Sequence, residues 1–171
     1  DLFFGRALAY AEQRQQAPAI AGWLQAAGVG KGDRVLLQMQ NCPQFVVAYY
    51  AIVRADAVVV PVSPTNTVEE LRHYLEDAQA TAAICTADVA ATLCSAIGGL
   101  GDVAAPAVLV TRYADALPMP PASHDMLPRE LEAMLLTEHA LPADCERWTD
   151  ALARSLTPRP HEAQPSGMVM L

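Results

Sequence analysis

Only 6% of these 171 residues are aromatic, and a single lysine, Lys31, stands beside ten arginines. The core must therefore be built from Ala, Val, Leu and Ile. These lift the hydrophobic content to 53% and exclude a disordered chain. Positive charge is scarce. A formal net charge of −8 leaves no clustered Lys/Arg surface to displace counterions from phosphates, which excludes nucleic acid as the expected partner. Long apolar runs are missing too: the longest, FVVAYYAIV at 45–53, falls well short of the about 20 residues that a bilayer-spanning helix needs, so no transmembrane segment is expected. The cysteines Cys42, Cys85, Cys94 and Cys145 form no CxxC pair, and no histidine stands at metal-ligand spacing from them. They read as reduced, mostly buried thiols of a cytoplasmic protein. No signal peptide is visible. The chain opens at Asp1 rather than Met, so a natural start, with any targeting segment, is expected outside it.

What is present is a regular alternation of short apolar bursts and helical stripes. Residues 7–27 carry Leu8, Ile20, Trp23, Leu24 and Ala27 at helical spacing, and Gly28 stands where a left-handed cap is wanted. RVLLQM at 34–39 reads as a buried strand. Pro43 opens a helix to about Ala55, where its missing N–H costs nothing. AVVVPV at 57–62 shows no alternation, which fits a strand covered on both faces. Thr67 and Glu70 match a capping box, and Val68, Leu71, Leu75 and Ala78 form the inward stripe of the helix it opens. AAIC at 82–85 is a third strand, Asp88 is placed to cap a helix to about Ile97, and AVLVT at 107–111 is a fourth strand. This order predicts an α/β fold: a mostly parallel sheet with covering helices and right-handed crossovers.

Beyond Thr111 the pattern loosens. Residues 112–127 hold three prolines and read as an exposed connection; 128–140 reads as a helix, and Asp144 to Arg154 as another, capped by Asp144. The expected organisation is a sheet-and-helix subdomain at 1–111, a loop and helical connection at 112–156, and a Pro-rich linker at 157–171. The linker ends in MVML, the start of a further strand.

Chemistry-bearing residues are few. His73 lies one turn from Glu69 and Asp77, which fits a general base less well than a solvated helix face with i, i+4 charge pairs. GGLG at 98–101 follows a helix rather than a strand and lacks the lysine and spacing of a phosphate loop, so it reads as a connecting loop. Glu138-His139 and His161-Glu162 are adjacent pairs whose side chains diverge, and neither fits a metal site. No serine sits in GxSxG. The residues themselves yield no catalytic constellation.

Three segments nonetheless carry a resemblance: GRALAYAE at 5–12, the run IAGWLQAAGVGKGDRVLLQMQNCPQFVVAYYAIVRADAVVVPVSPTNTVEEL at 20–71, and LRHYLEDAQATAAICTADV at 71–89. Together they resemble the N-terminal region of the adenylate-forming acyl-CoA synthetases, nearest the long-chain fatty acid branch. Segment 5–12 looks like the early Leu-x-Tyr-x-Glu motif, and 52–64 like the Ala-rich strand that ends in Pro-x-x-Pro. The resemblance implies a fatty acid substrate, ATP, Mg²⁺ and CoA for the intact enzyme. The carboxylate attacks the α-phosphate of ATP to give an acyl-adenylate and pyrophosphate, and the CoA thiolate then displaces AMP. The family's Ser/Thr/Gly-rich ATP loop and C-terminal lysine match nothing in these residues. The loop is expected just after MVML, and Lys31 sits in no matching motif. The resemblance therefore carries over no catalytic residue and no metal ligand. Sheets of this kind collect ligands beyond the carboxyl ends of their strands, here the loops Gln40-Asn41-Cys42 and Val62-Ser63-Pro64-Thr65. By resemblance Val62, Ser63 and Pro64 line the entrance used by CoA, although VSP replaces the Gly/Phe-rich sequence found in acetyl-CoA synthetases. The expected protein is thus the N-terminal piece of a fatty acid–CoA ligase, inactive alone, cytoplasmic or peripheral to a membrane, and able to form a homodimer through this region. A freestanding α/β binding or interaction module without chemistry is the alternative.

Overall fold

A computed structural model describes residues 2–3, 6–7, 10–101, 103–116, 135–162 and 168–170, with side chains from Arg14 onward. Two short strands, β1 (Leu2–Phe3) and β2 (Arg6–Ala7), pair antiparallel. The main body is a five-stranded sheet, ordered β4-β3-β5-β6-β7, with every pairing parallel. Its strands are β3 (Arg34–Gln38), β4 (Val58–Val62), β5 (Ala82–Thr86), β6 (Ala107–Thr111) and β7 (Cys145–Arg147). Helices α1 (Tyr10–Ala26), α2 (Pro43–Arg54), α3 (Val68–Ala78), α4 (Ala90–Ile97) and α5 (Trp148–Ala153) cover it.

The uninterrupted apolar character of the strands follows from burial on both faces. Strand side chains alternate by two. Val35, Leu37, Ala82, Ile84 and Leu109 face one core, shared with Ile20, Trp23 and Leu24 of α1, Val47, Ala48 and Ile52 of α2, and Trp148 of α5. Leu36, Ala83, Cys85, Val108 and Val110 face the other, packed against Leu71 and Leu75 of α3 and Leu93 of α4. The sheet is thus doubly wound: α1, α2 and α5 lie on one face, α3 and α4 on the other. Gly28 ends the turn after α1 at φ +96°, a conformation that strains any residue with a Cβ.

The capping box of α3 is fully formed. The Glu70 amide donates to Thr67 Oγ1 at 3.3 Å, and the Thr67 amide donates back to a Glu70 carboxylate oxygen at 2.8 Å. At the other end, the Arg34 guanidinium donates to the carbonyls of Ala78 and Gln79, which ties α3 to the start of β3. Hydrogen bonds from the Thr67 amide, first, and from Asn66 and the Thr67 hydroxyl hold the Glu70 carboxyl below the usual glutamate range. A lowered folded-state pKa contributes stability above the unfolded pKa, and that contribution fades as pH falls through the folded value. Removing the cap with Thr67→Ala should destabilise the fold by about 1 kcal/mol at neutral pH. The difference from wild type should shrink below the glutamate range, as urea titrations at neutral and acid pH would show.

Several elements depart from the expectation. Asp88 makes no side-chain cap for α4, whose N-cap position is Val89 in a helical conformation. Residues 113–116 are not exposed loop but a 3₁₀ turn with Tyr113 and Ala116 buried. Of the helix expected at 128–140, residues 128–134 lie outside the described residues, Leu135 and Leu136 are helical, and 137–140 are not. The helix expected from Asp144 starts only at Trp148, because Cys145–Arg147 joins the sheet beside β6. The Trp23 indole N–H donates to Glu146 at 2.7 Å and Arg154 donates to the same carboxylate at 3.1 Å, so the one acidic residue of β7 fastens this edge to α1 and α5.

Candidate functional site

With strand order β4-β3-β5-β6-β7, the connections leaving β3 and β5 diverge: α2 goes to one face and α4 to the other. That divergence opens a crevice at the carboxyl ends of β3 and β5, where doubly wound sheets commonly hold a ligand. Here a side chain fills it. Tyr113 is buried, and its phenol oxygen accepts from the Gln40 amide at 3.3 Å and from Thr86 Oγ1 at 3.4 Å. Burial pushes the phenol pKa up, so Tyr113 stays neutral in this seat. Cys42, the residue before α2, is sealed in by the same packing. Burial outweighs the hydrogen bonds from the Phe45 and Gln44 amides and pushes its thiol up to about 11. A thiol so protonated is no nucleophile near neutral pH. The Gln40-Asn41-Cys42 loop is thus closed to a buried ligand.

An exposed loop at this end follows β4. Val62 is half-buried at the strand end, Ser63 is exposed and Pro64 is half-buried. Ser63 Oγ lies 2.7 Å from Thr65 Oγ1 and accepts from the Thr65 amide at 3.2 Å, while the Ser63 carbonyl accepts from the Asn66 amide at 3.2 Å. These bonds hold the loop in one shape. A groove of about 660 Å³ runs from it between β4 and α3, lined by Val60, Val62, Ser63, Tyr74 and Asp77 among others. The structure brings Val62 and Ser63 into this groove; Pro64 is not among its lining.

Sequence reading passed over a polar layer behind the loop. Each inner strand ends in a buried polar residue: Gln38 on β3, Thr86 on β5 and Thr111 on β6. Gln38 Nε2 donates to the Ser63 carbonyl at 3.4 Å, and Gln44 Nε2 donates to the Arg112 carbonyl at 2.9 Å. Among the described residues five buried side-chain atoms lack a partner within the protein, and four of them, on Gln38, Gln44, Asn66 and Thr111, sit at this end of the sheet. A buried acceptor left unmet costs about 1–3 kcal/mol, so the cluster marks the end at which the fold favours position over stability. The signal was in the runs RVLLQ, AAICT and AVLVT, each apolar until its last residue.

The remaining candidates are structural. His73 is exposed with its ring beside that of Tyr74, and neither Glu69 nor Asp77 pairs with it among the described residues. Residues 98–101 are a surface loop following α4. Glu138 and His139 are exposed. His161 pairs with Asp56 at 2.7 Å, and the Glu162 amide donates to both Asp56 oxygens, which fastens the tail to the turn before β4. Among the described residues no three His, Cys, Asp or Glu side chains converge as a metal site requires. Lys31 is exposed in the turn before β3, at the opposite end from the Ser63 loop. These residues therefore do not fit the phosphates of ATP or their Mg²⁺, and no step of adenylation can be derived from them. Among the described residues no helix is long and apolar enough to cross a membrane.

The sequence profile of the family described as "AMP-binding enzyme" matches residues 2–163. A long-chain-fatty-acid–CoA ligase of Bacillus subtilis is 36% identical over 118 residues, 69% of this chain and 20% of that protein. A salicyl-AMP ligase / salicyl-S-ArCP synthetase of Mycobacterium tuberculosis is 43% identical over 83 residues, 48% of this chain and 14% of that protein. Among solved structures, a benzoate CoA ligase from Burkholderia xenovorans superposes with a TM-score of 0.66 at 16% identity, over 92% of this chain and 25% of its own, a likeness of fold. The chain spans about a fifth of the length of the long-chain fatty acid–CoA ligases it matches. With the profile match running almost the full length of a sheet-and-helix body shared with such ligases, the chain belongs to the AMP-binding enzyme family.

Proposed function

We propose that these residues are the N-terminal scaffold of an ATP-dependent fatty acid–CoA ligase, inactive alone, and that Val62, Ser63 and Pro64 form part of the CoA entrance. The observation that carries the reading is the position of the tail. The Val59 amide donates to the Val169 carbonyl at 2.9 Å, and Met170 pairs in parallel with Val59 on the edge of β4 that no other strand covers among the described residues. A polypeptide that kept this direction beyond Met170 would run beside Val60–Val62 toward Ser63. In this reading a phosphate-binding loop would follow there, against the exposed loop after β4. The substrate class rests on the relatives named long-chain-fatty-acid–CoA ligases.

In this role the chain binds and orients rather than reacts. Gln38 and the Ser63–Thr65 hydrogen bonds fix the loop, Tyr113 closes the neighbouring crevice to water, and the groove beside Val62 and Ser63 offers a wall to an elongated ligand. ATP, Mg²⁺ and the chemistry at phosphorus belong to the longer polypeptide. In that polypeptide, Ser63→Trp should raise the KM for CoA by about tenfold while leaving acid-dependent ATP–pyrophosphate exchange near wild type, since only thioester formation needs the entrance. An equal loss in both half-reactions would place the loop elsewhere in the mechanism.

A further inference from the structure

Cys94 lies in α4 and Cys145 opens β7, 51 residues apart in sequence, yet their sulfurs stand 3.5 Å apart. Both are half-buried, at the rim of the core that α3 and α4 form with the sheet. We propose that Cys94 and Cys145 are a thiol pair that a peroxide converts to an intramolecular disulfide, locking the outermost strand of the sheet to α4. A bonded pair needs its sulfurs about 2.05 Å apart, so closure requires an approach of about 1.5 Å, within the reach of side-chain rotation. The neighbourhood favours this pairing over its rivals. Cys85 lies near both sulfurs but is fully buried, and burial raises its thiol pKa well above the ordinary value. Cys42 is buried in the core on the other face of the sheet.

The chemistry balances with one peroxide. Burial, and then the adjacent Cys94 sulfur, push the Cys145 thiol up to about 12, which keeps it protonated near neutral pH. In the proposed sequence the Cys94 sulfur takes one oxygen as the O–O bond breaks, giving a sulfenic acid and water. The Cys145 sulfur, 3.5 Å away, then closes on the sulfenic sulfur as its proton passes to the departing sulfenic oxygen, so the S–S bond forms without a free Cys145 thiolate and a second water leaves. Two thiols lose two electrons, and the peroxide gains them. Strand β7 meets the sheet through only three register pairs with β6, so a covalent tie here changes the hold on the whole 135–154 segment.

The test treats the full chain with hydrogen peroxide, alkylates the remaining thiols after denaturation, and maps peptides without reduction. The expected result is a Cys94–Cys145 linked peptide two hydrogens lighter than its parts, with Cys42 and Cys85 recovered as alkylated thiols. Thermal unfolding of the oxidised chain should rise by about 4–15 °C over the reduced chain, because the tie closes a long loop. The rise should vanish in Cys94→Ser and persist in Cys42→Ser. Recovery of Cys94 as a sulfinic acid beside a free Cys145, a dominant link to Cys85, or an oxidised wild type with no linked peptide would overturn the proposal. The mapping on the wild type decides the matter even if a variant fails to fold.

Discussion

Tyr113→Ala should lower stability by about 3–5 kcal/mol, the range for removing a large buried ring. The ring fills the crevice between β3 and β5, and its hydroxyl satisfies the Gln40 amide and Thr86 together. Truncation leaves a cavity in the core shared by α1, α2 and the sheet, and leaves the Gln40 N–H without its partner. Tyr113→Phe keeps the ring and loses only the phenol oxygen, so it should cost about 1 kcal/mol. Urea unfolding of the two variants separates the contributions. A loss below 1 kcal/mol for Tyr113→Ala would mean that the ring does not plug the crevice, and the Gln40-Asn41-Cys42 loop would return as a ligand site.

The second large effect comes from a glycine with no room above it. In α1, a Cβ on Gly22 would overlap the backbone carbonyl and Cβ of Leu156, in the turn after α5. Helix propensity alone favours Gly22→Ala by about 1 kcal/mol, whereas overpacking against backbone costs about 1–3 kcal/mol. The clash should win, and Gly22→Ala should be net destabilising. Gly22→Val adds two methyl groups and a β-branch, and should lose at least about 3 kcal/mol. It should also loosen the tail, since Arg159 and Gln25, one turn from Gly22, share a 2.8 Å hydrogen bond. A more stable Gly22→Ala in a thermal melt would contradict the packing of α1 on Leu156.

The inner elements were legible because several local signals agreed. In β3, β5 and β6 an apolar run meets burial on both faces, and in α3 the stripe of Leu71 and Leu75 follows a capping box. The edge was not legible. Cys145–Arg147 is three residues long, two of them charged, and its strand identity comes from β6 and from the Trp23–Glu146 bond rather than from any local preference. Asp144 looked like a helix cap, but the helix begins only when the strand ends, at Trp148. Tyr113 was hidden for a related reason: it stands in a segment punctuated by proline, and only the divergence of α2 and α4 creates the slot that it occupies. The loop Val62-Ser63-Pro64 could be located because Pro64 stands just beyond the end of β4, whereas Pro61 lies within the strand, in register with Leu37. In the proposed ligase, what it touches would depend on residues other than these 171.

That dependence can be measured directly by ATP–pyrophosphate exchange with a panel of fatty acids. The assay compares the purified 171-residue chain with the longest polypeptide that carries it. Exchange by the longer polypeptide and none by the 171 residues is the expected outcome. Turnover by the short chain at a rate that tracks its own concentration, or silence from both, would contradict the assignment of these residues as scaffold to a ligase site completed elsewhere.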